Sequence, residues 1–79
     1  MQDSNIATAC DEYRRLIGMS VAELARRIGV DRKRLWYVLK GQRELRVDEF
    51  LKICIALRVD PRRFITLDMV EDVHNAIWS

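Results

Sequence analysis

The sequence contains few of the residues that interrupt helices. Of its 79 residues, one is proline and three are glycine. The β-branched residues do not alternate with polar ones, as they would in half-buried strands. Since proline and glycine disrupt helices most strongly, long stretches of the chain are free to be helical. The composition therefore predicts an all-α protein.

The chain also has few features that catalysis or metal binding requires. Its two cysteines, Cys10 and Cys54, do not have the spacing of metal ligands, and His74 is the single histidine. The sequence contains no phosphate-cradling glycine loop and no nucleophile paired with a base. We therefore expect neither an enzyme, nor a cofactor, nor a metal site, and we expect both thiols to be reduced.

Long apolar runs are absent too. No stretch is long enough to span a bilayer, and no signal peptide is recognisable. A globular chain of this length forms one domain with a small core, which suits a binding module better than a deep catalytic cleft. We therefore expect a cytoplasmic protein without a membrane partner.

Positive charge is concentrated in the middle of the chain. The net charge is only +2, but residues 26–46 contain eight basic residues and two acidic ones. Residues 67–79, by contrast, contain three acidic residues and no lysine or arginine. Because a polyanion responds to local positive charge, residues 26–46 are the candidate surface for a nucleic acid.

Two short helices in this region are separated by a very short connection. Ser20 and Glu23 form a capping-box pattern that starts the second helix, and Gly29 stops it. Asp31 is a good N-cap for the third helix, which ends at Gly41. Only three residues connect the two helices, so the pattern predicts the sharp turn of a helix-turn-helix.

Four further helices are predicted around this pair. The first ends at Gly18, Asp48 and Glu49 open the fourth, and Asp60 with Pro61 starts the fifth. Beyond Thr66 the helical spacing continues in a sixth segment. The stripes predicted to be buried are Ile6, Cys10, Tyr13 and Ile17 in the first helix, Val21, Leu24, Ala25 and Ile28 in the second, Leu35, Val38 and Leu39 in the third, and Val47, Phe50, Leu51, Cys54 and Leu57 in the fourth.

The third helix has a cationic outer face that also carries aromatic residues. At 100° per residue, Lys33, Tyr37 and Lys40 lie opposite the apolar stripe of that helix. Trp36 lies on one flank and Arg34 on the other. Arginine and lysine donate to guanine edges, aromatic rings pack on thymine methyl groups, and phosphates attract the same cations.

The segments "MSVAELARRIGVDRKRLWYVLKG" and "LRVDEFLKICIALRVDPRRFI" resemble the lambda-repressor-like Cro/repressor (XRE-type) helix-turn-helix family. The resemblance covers residues 13–65. The matching features are the Leu24–Ala25 pair, the Ile28–Gly29–Val30 turn, Gly41 after the third helix, and the Ala56–Leu57 and Val59–Asp60 pairs before Phe64–Ile65.

This resemblance implies a compact five-helix bundle, of bacterial or phage origin, whose third helix enters the major groove of double-stranded DNA. Dimers of the family usually bind repeated half-sites. The chain departs from the family at Val21, where a phosphate-binding glutamine is frequent. It also has basic and aromatic residues where the family usually has small polar or amide side chains.

The predicted DNA contacts divide into two groups. The residues expected to read bases are Arg32, Lys33, Trp36 and Tyr37, and those expected to bind phosphates are Ser20, Arg34, Lys40, Arg43 and Arg46. For Trp36 a second interpretation stays open, in which the indole only covers the edge of the core.

Residues 1–66 are predicted to be the DNA-binding domain, with the helix-turn-helix at about 20–40, and residues 67–79 a separate tail. Its apolar residues are either a homodimer surface or a cover for the core: Met69, Val70, Val73, Ile77 and Trp78. The chain is then a sequence-specific transcriptional regulator, acting as a repressor by operator occupancy. The alternative is a protein-interaction module, or an antitoxin-like protein, that binds a partner protein through Trp36 and Tyr37.

Overall fold

The structure, a computed structural model, describes residues 3–78. It contains five α-helices and one short 3₁₀ turn, and no strand occurs in this range. The elements are α1 (Asp3–Leu16), α2 (Val21–Ile28), α3 (Arg32–Leu39), α4 (Val47–Leu57), the 3₁₀ turn (Pro61–Arg63) and α5 (Leu67–Trp78). The all-α prediction is confirmed. The fifth predicted helix, however, is only the 3₁₀ turn, and α5 corresponds to the sixth predicted segment.

The turn between α2 and α3 is stabilised by the predicted caps. The Ser20 hydroxyl accepts a hydrogen bond from the Glu23 amide (3.0 Å), and the Asp31 carboxylate accepts one from the Arg34 amide (3.1 Å). Gly29 ends α2 in the left-handed conformation at φ 71°, which glycine adopts without a steric penalty. The Glu23 carboxylate pairs with Arg27 (2.7 Å) rather than completing the capping box. The chain therefore reverses sharply into α3, as predicted.

The core lies between α1, α2, α3 and α4, and the segment after the 3₁₀ turn closes one end. Phe64 packs edge-on against Tyr13 and Phe50, with ring centroids 6.1 and 6.2 Å apart. The buried residues of this cluster are Cys10, Leu24, Ala25, Ile28, Leu35, Leu39, Phe50, Ile53, Cys54, Leu57 and Phe64. Both cysteines are free and fully buried.

The buried face of α4 differs from the predicted one. Ile53 is fully buried, whereas Leu51 is 44% exposed and Val47 is 76% exposed. Leu51 and Ile53 flank the row from Phe50 to Leu57 on opposite sides. The apolar pattern alone does not distinguish those two sides, and the packing of α4 against α2 decides between them.

One expectation about the first helix also needs correction, and one of the two alternatives for the tail is excluded. Ile17 is exposed because α1 ends at Leu16 and the chain turns through Gly18 at φ 77°. No residue of α5 is buried, and α5 does not pack against the other described helices. The tail therefore does not cover the core.

The described residues contain no helix that is both long and apolar enough to cross a membrane. Nor does this part of the chain bring together three or more side chains of the kinds that hold metal ions.

Candidate nucleic-acid interface

The rotation of α3 about its axis is fixed by three buried side chains. Leu35, Val38 and Leu39 point into the core, as the helical spacing predicted. Because these residues form one stripe, the opposite side of α3 must face outward. Lys33 lies on that outer side, whereas Arg32 is the first residue of α3 and lies on the flank of the stripe; both side chains are exposed. The first turn of α3 therefore presents two free cations to the surroundings.

A shallow cleft of about 480 Å³ lies between the start of α2 and the outer side of α3. Its walls combine apolar, aromatic and cationic side chains, with the hydroxyl of one serine at the edge. The lining residues are Ser20, Val21, Ala22, Arg32, Lys33, Trp36 and Tyr37. All four residues predicted to read bases are thus brought together with the first turn of α2, as a helix-turn-helix requires.

The two aromatic rings of this cleft pack against each other. Trp36 and Tyr37 form an edge-to-face pair with ring centroids 5.2 Å apart and an interplanar angle of 89°. Trp36 is 44% exposed and is not part of the core cluster. Tyr37 is half-buried, and so less exposed than the helical spacing indicated, because the start of α2 lies beside it. Both rings therefore belong to the outer surface rather than to the core.

Arg34 is engaged within the protein. Its Nε and Nη2 donate to the two carboxylate oxygens of Glu49, at 2.8 and 2.9 Å, and Nη2 also approaches the carbonyl oxygen of Glu44 at 3.4 Å. Glu49 is 5% exposed and accepts a further hydrogen bond from the Arg46 amide. The Arg34 guanidinium, by this hydrogen bonding, holds the pKa of Glu49 below its usual value. This geometry differs from the expectation that Arg34 binds a phosphate, since its donors are directed at α4.

Lys40 lies at the other end of α3 and is shared between two neighbours. Its Nζ is 3.7 Å from Oδ2 of Asp11 and 5.6 Å from the centroid of the Trp36 ring. Asp11 is 5% exposed and also pairs with Arg14 and Arg15, at 2.8 and 2.9 Å. The C-terminal end of α3 is thereby tied to α1, while Arg34 ties its first half to α4.

The remaining residues predicted to bind phosphates are exposed at the ends of the helices. Ser20 is at the N-cap of α2, and its hydroxyl keeps its own hydrogen for donation. Arg43 lies in the connection from α3 to α4, and Arg46 is the residue just before α4. Lys40, Arg43 and Arg46 are therefore exposed cations around the C-terminal end of α3.

Reasoning from the sequence missed the residues that support this surface. The pairing of Asp11 with Arg14 and Arg15 could have been read from their spacing of three and four residues. The pair of Arg34 and Glu49 is separated by 15 residues, and no local pattern indicates it. The contribution of Val21 and Ala22 to the cleft depends likewise on how α2 meets α3.

Two short helices meet here at a sharp turn, and the second helix presents a cationic surface to the outside. These features define the class of helix-turn-helix DNA-binding proteins. The chain belongs to this family: the Helix-turn-helix family model matches residues 11–64. The XRE-type resemblance of the sequence is confirmed. The chain is a DNA-binding transcription regulator, not an enzyme.

A solved structure gives a closer comparison. The chain is similar to the restriction-modification controller protein C.AhdI from Aeromonas hydrophila, with 31% sequence identity and a TM-score of 0.72. The similarity covers 77% of this chain and 92% of that chain. No curated protein sequence matches the chain.

Proposed function

We propose that the protein is a homodimeric, sequence-specific regulator that represses transcription by occupying an operator, with α3 in the major groove. The observation that carries this proposal is the orientation of α3. Its buried stripe of Leu35, Val38 and Leu39 leaves Lys33 directed outward, and Arg32 in the first turn is exposed beside the same cleft. The likeness to a controller protein supports a regulatory role.

Within this function the exposed side chains divide between bases and phosphates. Arg32, Lys33 and Tyr37 are the proposed base-reading residues, with Trp36 beside them. Ser20, Lys40, Arg43 and Arg46 are the proposed phosphate ligands, because they lie at helix ends around α3. Arg34 is not among these proposed ligands, because its Nε and Nη2 donate to the buried Glu49 carboxylate.

The proposed dimer surface is the apolar face of α5. Val70, Val73 and Ile77 recur at helical spacing and are 54, 55 and 67% exposed. Met69 and Trp78 extend the same face. Since residues 1–66 contain the core and the DNA surface, α5 is free to bind a second copy. Two copies of α3 would then meet half-sites about 34 Å apart, one turn of the double helix.

Selection from random duplex DNA, followed by binding measurements at several salt concentrations, tests the proposed function. We expect a palindromic motif and an affinity that falls steeply as salt rises. Recovery of no motif, together with binding that does not depend on salt, would exclude DNA as the ligand. That result would favour the alternative in which Trp36 and Tyr37 anchor a partner protein.

A further inference from the structure

The cleft between α2 and α3 has apolar walls on a surface that is otherwise cationic. We infer that it accepts the 5-methyl group of a thymine that lies within two base pairs of a guanine bound by Arg32 or Lys33. This inference rests on the proposed function, because it assumes that α3 occupies the major groove. It adds a specific feature of the operator that the helix-turn-helix fold alone does not supply.

The apolar walls come from both helices. Val21 and Ala22 are in the first turn of α2, and the aromatic pair of Trp36 and Tyr37 forms the side made by α3. A phosphate oxygen would lose hydration against the methyl groups of Val21 and Ala22 and the faces of the two rings without gaining a donor from these groups. On the floor of the major groove, the apolar group presented by unmodified base pairs is the methyl group of thymine. The walls therefore favour thymine over a phosphate and over the other bases.

The position of the cleft along α3 determines which neighbour the thymine has. Lys33 and Tyr37 are separated by one turn of α3, so their side chains cover points about 6 Å apart. Neighbouring base pairs are stacked about 3.4 Å apart, so these two points correspond to at most two base-pair steps. Arginine and lysine donate to O6 and N7 of guanine. A guanine at Lys33 and a thymine in the cleft beside Tyr37 would thus be one or two base pairs apart.

The N-terminus of α2 orients the same cleft toward the groove. Ser20 is exposed immediately before Val21, and its hydroxyl is available to donate to a phosphate. With Ser20 at the DNA backbone, Val21 lies between that phosphate contact and the base edges next to Tyr37. This arrangement explains why a valine, rather than a hydrogen-bonding side chain, occupies the first position of α2.

Replacing single thymines by deoxyuridine tests the inference, because this change removes only the methyl group. The probes are the duplex recovered by selection and the same duplex with one deoxyuridine at each thymine in turn. We expect one thymine per half-site, within two base pairs of a guanine, whose replacement weakens binding about fourfold, the factor for burying one methyl-sized group. Thymines outside the motif serve as internal controls and are expected to have no effect.

Two variants connect that effect to the cleft. Tyr37→Ala removes one aromatic wall, and Val21→Thr keeps the shape of the side chain but introduces a hydroxyl group. Both are expected to bind the thymine and deoxyuridine duplexes with nearly equal affinity, whereas Arg43→Ala keeps the fourfold difference. Circular dichroism of each variant verifies the helical fold, and the nearly isosteric Val21→Thr provides the test where Tyr37→Ala does not fold.

Three results would overturn the inference while leaving DNA binding intact. They are a motif without thymine near a guanine, equal binding of the wild-type protein to both duplexes, and a fourfold difference that persists in Val21→Thr. Absence of any selected motif would instead refute the proposed function itself.

Discussion

The guanidinium of Arg34 and the carboxylate of Glu49 meet through two hydrogen bonds, and this geometry has no equivalent for a lysine. An ammonium group is a point charge and cannot donate to both oxygens from the same plane. We therefore expect Arg34→Lys to lower the melting temperature measured by circular dichroism. Because lysine keeps the positive charge, the salt dependence of DNA binding should not change.

Arg43→Ala is the matched control, since Arg43 is exposed and is proposed to bind a phosphate. It should leave the melting temperature unchanged and reduce the slope of log K against log salt by about 0.9 for each copy of the protein. An unchanged melting temperature in Arg34→Lys would contradict the importance of the two-bond geometry.

Glu49 also makes the stability of the protein depend on pH. Hydrogen bonds from Arg34, and then from the Arg46 amide, lower the pKa of Glu49 in the folded state. Its stabilising effect is fully present above the unfolded value of about 4.3 and is lost as the pH falls through the lower folded pKa. Glu49→Gln should therefore be less stable at neutral pH and lose less stability between neutral pH and pH 3. Thermal melts across this range measure both effects.

Asp60 provides the comparison for this experiment. Hydrogen bonds from Arg62 lower the pKa of Asp60 to about 2, but this pair is exposed to solvent. Asp60→Asn should consequently change the acid dependence less than Glu49→Gln does. A larger change in acid dependence for Asp60→Asn than for Glu49→Gln would contradict the importance assigned to the buried Glu49 carboxylate.

Arg32 and Lys33 are expected to differ from the phosphate ligands in specificity. Replacing either residue by alanine should cost about 1–3 kcal/mol of binding free energy and relax the preference at one base pair. Repeating the selection with each variant shows which position is relaxed. Were Arg43→Ala to relax the same position, the division into base-reading and phosphate-binding residues would be wrong.

Whether a contact of this surface could be predicted depends on how far apart its two residues lie in the sequence. The direction of Lys33 follows from the periodicity of α3, because a helix with one buried stripe exposes its opposite side. Arg32 is exposed because it lies in the first turn of the helix. The engagement of Arg34 depends on a carboxylate 15 residues away, and no helical wheel contains that information. Lys40 is a similar case, because its partner Asp11 belongs to α1.

At the level of elements, the boundaries were predictable where a side chain caps its own helix. Ser20 and Asp31 accept from amides three residues ahead, so the start of α2 and of α3 could be read locally. Asp60 caps the segment at Pro61 in a similar way. After three residues, however, Phe64 packs into the core, so no α-helix forms there. A start signal therefore predicts where a helix begins better than how long it is.

α5 is the element whose function a truncation can test directly. Since no residue of α5 is buried, a chain ending at Thr66 should keep its folded core. Because the proposed dimer surface is removed, the truncated chain should sediment as a monomer where the full chain sediments as a dimer. Ile77→Glu should have the same effect through one charge on the apolar face. A truncated chain that still dimerises would place the dimer surface elsewhere.

In the whole molecule, eight of the 14 lysine and arginine residues lie in residues 26–46, and α5 carries acidic residues without lysine or arginine. In the proposed dimer, each copy of α3 supplies one cationic surface to the DNA, whereas α5 binds the second copy. The net charge of +2 therefore understates the electrostatic attraction for DNA.

The salt dependence of binding follows from that distribution. Lys40, Arg43 and Arg46 of two copies would neutralise six phosphates, which predicts a slope of log K against log salt of about −5. The chain ending at Thr66 should bind one half-site with a slope of roughly half that size. Fluorescence anisotropy at four or more salt concentrations measures both, and equal slopes would contradict the proposed dimer on DNA.

The burial of both cysteines has a practical consequence for such measurements. Burial raises the pKa of the Cys10 thiol to about 12 and also raises the pKa of Cys54, so at neutral pH neither forms the reactive thiolate. The chain has no other cysteine. A third one, introduced as Asn75→Cys on the exposed polar side of α5, would therefore be labelled selectively by a maleimide or a nitroxide while the native thiols stay in place. Spectroscopic distances between the two copies of the proposed dimer would then be accessible without redesigning the core.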